Sequence, residues 1–163
     1  MITNTKVTGT PPTANLQPIA DIVADTLESA TLPTIFDWLE RVERDGELTS
    51  VPLSREDRAG YFPRLIWDLA QRLRSHPKPG RKSVSDAAVR HGKLRHAQGY
   101  SISMIVEESR ILQICIFETL YNMLSPELFR SVRSNSRTIT NECDLQLKQM
   151  LASFSRGAQN IVA

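Results

Sequence analysis

Apolar residues recur along this chain at three- and four-residue steps, and no stretch shows the strict alternation of a half-buried strand. Residues 17 to 30 place Ile19, Ile22, Val23, Leu27 and Ala30 on one stripe. Pro33, at a helix N1 position, predicts a second helix with Ile35, Phe36, Leu39 and Val42 inward, ending near Gly46. Ser54 and Asp57 form a capping-box pattern that opens a short turn. A helix from Pro63 follows, with Leu65, Ile66, Leu69, Ala70 and Leu73 on its apolar face. The run His76-Pro-Lys-Pro-Gly80 reads as a loop with a solvated histidine. Ser83 is the expected cap of the next helix, which stops at Gly99.

Ser101 begins a further helix, nearly all apolar at ILQICIF, residues 111 to 117. A helix apolar around its circumference belongs at the centre of the packing. It ends at Ser125-Pro126, and a last helix of about 50 Å runs from Pro126 to about Gln159. Its stripe passes through Leu128, Val132, Ile139, Cys143, Leu147, Leu151, Phe154, Ala158 and Ile161. The steps from Leu147 to Ile161 alternate four and three, as in a short coiled-coil seam. With nothing foreseen in the chain to cover that distal half, the pattern predicts a homodimer through Leu147, Leu151, Phe154, Ala158 and Ile161. The expected architecture is an all-α bundle: a flexible Thr/Pro/Asn-rich tail over 1–15, a core over 16–125 and a long output helix over 126–163.

A length of 163 residues suits one domain that buries a core without staples. Cys115 and Cys143 lie inside apolar helical patterns without metal or redox spacing, which reads as two inert buried thiols in a reducing, cytoplasmic setting. No window reaches a membrane-spanning length and no secretory leader pattern opens the chain. The net charge of +2 conceals segregation. Residues 17 to 50 carry eight acids against Arg41 and Arg44, and residues 72 to 98 carry eight bases against Asp86. The basic stretch lacks stacking aromatics and any nucleic-acid motif, so nucleic acid is not an expected partner. The two segments are suited to face each other, within one chain or across a dimer.

The stretch RHGKLRHAQGYS, residues 90 to 101, departs from ordinary patterning. Counted from Val84, its inward stripe holds Ala87, Ala88, His91, Leu94, Arg95 and Gln98. A buried arginine needs a carboxylate, because desolvating an isolated charge costs several kcal/mol. The next helix offers Glu107 and Glu108, and the economical reading joins Arg95 to Glu108, with His91 and Gln98 adding hydrogen bonds and Arg110 nearby. Gly99 supplies the left-handed stop, Ser101 the N-cap, and Tyr100 a ring to bury with a hydroxyl to satisfy. Such a network either fixes the packing or senses a ligand, and the residue types suit both.

At these residues the chain resembles a known family. The pattern His91-Gly92-x-x-Arg95-x-x-Gln98-Gly99-Tyr100-Ser101, followed by Glu108-x-Arg110, resembles the RsbRD N-terminal domain. That domain fronts RsbR-type stressosome co-antagonists and some bacterial histidine kinases. WLERV at 38–42 and FPRLI at 62–66 extend the likeness, which covers roughly residues 33 to 154. Ser109 stands where the family often carries an aromatic. The resemblance implies a globin-like all-α fold without haem, a dimer, and a last helix leading to a STAS or kinase output domain.

Three functions compete on the residues themselves. A non-enzymatic sensor would pass a change at the polar junction down the final helix to a downstream partner, and needs no cofactor. A haem-based gas or redox sensor would use His91 or His96 as axial ligand, but His91 sits beside Arg95, and His96 falls on the outer face with Lys93. A phosphotransfer bundle would need an exposed histidine, which favours His96. Catalysis has no motif behind it: no GxSxG, no Cys–His pair and no ExxH motif for a di-metal bundle. The sensor is the expectation.

Overall fold

The computed structural model describes residues 16–75 and 84–159, and over them the protein is an all-α helical bundle. Seven α-helices are present among the described residues: α1 (Leu16–Ser29), α2 (Thr31–Val42), α3 (Arg55–Ala59), α4 (Phe62–Ser75), α5 (Asp86–Ala97), α6 (Ile102–Met123) and α7 (Pro126–Gln159). A 3-10 turn, Leu48–Ser50, lies between α2 and α3. No described helix is long and apolar enough to cross a membrane. The expected tail, His76, Ser83 and Ile161 fall outside the described residues, as does the side chain of Ala158.

The core forms where the apolar stripes of α1, α2, α4 and α6 meet. Val23, Leu27, Ile35, Leu39, Leu65, Ile66, Leu69, Ile105 and Ile116 are buried there, as their helical spacing requires. α2 begins at Thr31, two residues before Pro33, after the single non-helical residue Ala30. The first turn of a helix leaves its N–H groups without intrahelical partners, so proline fits there beyond N1. Phe36 was expected inward and is 56% exposed. Residues two apart on a helix point in nearly opposite directions, and Trp38, with no exposure, holds the inward position.

α5 starts later than expected. Ser85 is its cap, accepting from the Ala88 N–H, and Val84 lies exposed before it. The capping at Ser54 and Ser101 holds as read, with side chains accepting from the N–H groups of Asp57 and Met104. Acidic and basic segments meet within the chain where Arg74 of α4 pairs with Asp25 and Glu28 of α1.

The course of α7 corrects the largest expectation. Val132 and Ile139 are buried as predicted, but the distal half is not without a partner in the chain. α5 lies along it, and these two helices make the most extensive interhelical contact of the fold. The buried line on distal α7 is Gln146, Met150 and Ser153. The apolar seam Leu147, Leu151 and Phe154 sits beside that line, only partly buried against the core. Gly92 makes the approach possible: a Cβ there would stand 2.1 Å from both the Met150 carbonyl oxygen and the Ser153 Oγ. Hydrophobic periodicity cannot register such a contact, because it is made by backbone against backbone.

Candidate functional site

The turn between α5 and α6 follows from three residues. Gly99 adopts φ +82°, a left-handed conformation that glycine takes without a Cβ penalty. The Tyr100 N–H then returns to the Arg95 carbonyl at 3.0 Å, closing the end of α5. Ser101 restarts the chain as the N-cap of α6, and the thioether of Met104 accepts the Ser101 N–H in turn. The two helices therefore meet with His91, Arg95 and Glu108 facing one another, and all three have no exposed surface.

Arg95 Nε lies 3.0 Å from both oxygens of Glu108, and Arg95 Nη2 is 3.0 Å from Oε2. Its other guanidinium hydrogens go to the Gln98 side chain at 2.7 Å, to the Asp57 carbonyl at 3.3 Å and to the Arg58 carbonyl. The guanidinium also sits over the Tyr100 ring, 4.5 Å from its centroid. His91 Nε2 is 2.8 Å from Glu108 Oε1, while its Nδ1 accepts the Tyr61 N–H at 3.4 Å. That second bond fixes the tautomer: the proton is on Nε2 and is donated to Glu108. The network expected from sequence is thus assembled, with Gln98 and Tyr100 in it.

Arg110 is not in it. It lies on the exposed face of α6 and pairs with Glu107 one turn earlier. Glu108 and Arg110 are two residues apart on one helix, so they cannot share a face. His96 is corrected too. The helical phase puts it on the outer face, yet it is partly buried, its ring edge-on to Phe154 at 5.1 Å and against Gly157.

Three members were not foreseen. Trp38 donates its indole N–H to the Glu108 carbonyl at 2.9 Å, and its ring lies 4.6 Å from that of Phe62. Phe62 stacks on His91 at 4.4 Å. Arg58, only 5% exposed, donates to the Leu48 and Val51 carbonyls, each at 2.9 Å, and to the Tyr100 hydroxyl at 3.4 Å. Trp38 and Phe62 lie in WLERV and FPRLI, where nothing local marks them as partners of Glu108 and His91. Arg58 sits in REDRA, which reads as surface and gives no such sign.

The chemistry of the junction is that of a closed network. Among the described residues no buried side-chain nitrogen or oxygen lacks a partner. A cluster with every donor and acceptor engaged rigidifies its surroundings and leaves no group directed at a ligand. Both ring nitrogens of His91 are held by protein groups, so axial ligation of a haem would require breaking one of these contacts. The thiols of Cys115 and Cys143 are free, and burial pushes each up to about 12. A thiol held that high carries almost no thiolate at neutral pH.

Burial outweighs the pull of Glu108 and keeps the His91 imidazole below its ordinary value of 6.5, with the positive charge of Arg95 acting in the same direction. The unfolded chain takes up a proton at this position near pH 6.5 and the folded chain does not. Stability is therefore expected to decline as the pH falls through about 6.5. Urea unfolding between about pH 5 and 8 measures this, with His91→Gln as the comparison. The variant should show a flatter profile across that range, and an unchanged slope would place the titration elsewhere.

No protein-family model, no curated protein and no solved structure matches this chain.

Proposed function

We propose that the chain is a non-enzymatic regulatory input domain that passes a change at the α5–α6 junction along α7 to a partner protein. One observation carries this reading: α5 has two working faces. His91 and Arg95 join α6 through Glu108, while Gly92, between them in sequence, seats the distal half of α7. A shift of α5 in the junction therefore displaces α7 as well, since packed helices slide or switch rather than deform smoothly. The resemblance to the RsbRD N-terminal family supports the same role. It suggests a non-haem globin-like input domain of the bacterial cytoplasm, acting on a STAS or kinase output. Capture of partners from native cells with the full chain as bait tests the role. A signalling protein should be recovered with the wild type and lost with substitutions on distal α7. Recovery that ignores α7 would contradict it.

A homodimer belongs to this proposal, on altered grounds. Ile102 is 53% and Val106 is 40% exposed on α6, and the half-buried Leu147 and Leu151 belong to the neighbouring α7. Val106, Cys143 and Leu147 form an apolar strip along the α6–α7 groove, beside Ser109, Gln113 and the charged Arg110 and Asp144. A second copy covering this strip would place two α7 helices side by side at the output end. Light scattering at tens of micromolar should give twice the chain mass, and Leu147→Glu should halve it. A wild-type monomer would remove the dimer from the account.

A further inference from the structure

If the network is closed, a signal has to enter elsewhere. A cleft of about 480 Å³ lies between α4, the start of α5 and α7. This is the ordinary size of a small-molecule site, roughly 300–1,000 Å³. It touches both ends of the proposed relay. Tyr61, whose backbone N–H holds His91, is on its wall, and Gln146 and Gln149 of α7 line the opposite side. Ser85 ties the elements together, donating its hydroxyl to Asp68 at 2.7 Å and its N–H to Gln149 at 2.9 Å.

The charges of this cleft are sorted by depth. Asp68 and Glu142 are 19% and 13% exposed; Glu142 pairs at 3.5 Å with Arg72, 15% exposed and the one cation at that depth among the described lining residues, and Asp68 pairs at 3.6 Å with Arg64. Arg64 and Arg90, each 61% exposed, stand at the rim with Asp86. The floor therefore carries two acids against one base and the rim two bases against one acid. The whole cancels, with the surplus carboxylate at the floor and the surplus guanidinium at the rim, 3.6 Å apart in the Arg64–Asp68 pair. A purely anionic ligand gains nothing at the floor, and a large apolar one would desolvate six charged groups.

We infer that this cleft binds a small zwitterion of the amino-acid class. Its ammonium group points inward to Asp68 and Glu142, and its carboxylate outward to Arg64 and Arg90. The inference rests on the regulatory reading above and supplies its ligand. Occupancy draws α4 and α5 toward α7, because the floor carboxylates come from α4 and α7 while the rim guanidinium groups come from α4 and α5.

The test is a ¹H–¹⁵N titration of the full chain with the common amino acids at about 10 mM, far above a Kd at which a metabolite signal would act. At least one should shift resonances at the cleft, and its N-acetyl and methyl-ester forms should each bind about tenfold weaker or worse, a loss of about 1.4 kcal/mol. Glu142→Gln should weaken the intact amino acid and leave the N-acetyl form unaffected. Absence of any shift at the cleft, or a blocked form that binds equally well, would overturn the assignment. Partner capture that still depends on α7 would then show the regulatory role standing without this ligand class, so the two failures are separable.

Discussion

Replacing Gly92 with alanine is expected to loosen the distal half of α7 from α5. The new Cβ would stand 2.1 Å from the Met150 carbonyl oxygen and 2.1 Å from the Ser153 Oγ. Ser153 could turn away, but the carbonyl is part of the α7 backbone and can move only with the helix. Overpacking of this kind costs about 1–3 kcal/mol, and more when backbone must shift. Alanine recovers roughly 1 kcal/mol through its helix preference, so a net loss of about 2 kcal/mol remains at the upper end of that range, where a backbone clash belongs. Urea unfolding reads the stability, and hydrogen exchange should show faster opening at residues 146–157. A neutral or stabilised Gly92→Ala protein would mean that α5 and α7 are not interlocked there.

Arg95→Ala carries the other large effect. It leaves the Glu108 carboxylate without its guanidinium partner at a site with no exposed surface, and it frees the Asp57 and Arg58 carbonyls and the Gln98 side chain. Removing one partner of a buried ion pair costs about 3–5 kcal/mol. The double variant Arg95→Leu with Glu108→Leu should be less damaged than Arg95→Ala, because no lone charge remains buried. That ordering distinguishes a penalty for an unpaired charge from a simple loss of packed volume. Equal damage in both would assign the cost to packing.

How much of this was legible in the sequence depended on whether a residue's role is set locally. Arg95 was legible because a charge on an inward stripe demands a partner, and the phase of the following helix presents Glu108 inward. The turn at Gly99, Tyr100 and Ser101 was legible because each residue type answers one backbone need. Arg110 was misplaced because closeness in sequence stood in for closeness in space, and two residues along a helix is nearly the opposite face. Phe36 failed by the same geometry against Trp38. Arg58 left no trace, since its acceptors are the Leu48 and Val51 carbonyls, which any sequence supplies. The contact at Gly92 was beyond pattern reading altogether. A glycine inside a helix registers only as a weak helix former until the helix across from it is known, and here the residues it meets, Met150 and Ser153, lie more than fifty positions away. His96 moved inward for the same reason, when Phe154 and Gly157 came to meet it.

The junction of α5 with α6 and the distal half of α7 are expected to respond as one mechanical unit. Hydrogen exchange on Arg95→Met under native conditions tests it most directly, with Leu73→Ala, a core variant in α4, as the control for general destabilisation. Exchange should rise in α5 and at residues 146–157 of α7 beyond the control, while α1 and the first half of α7 follow the control. A rise limited to α3, α5 and α6, with residues 146–157 exchanging as in the control, would contradict it.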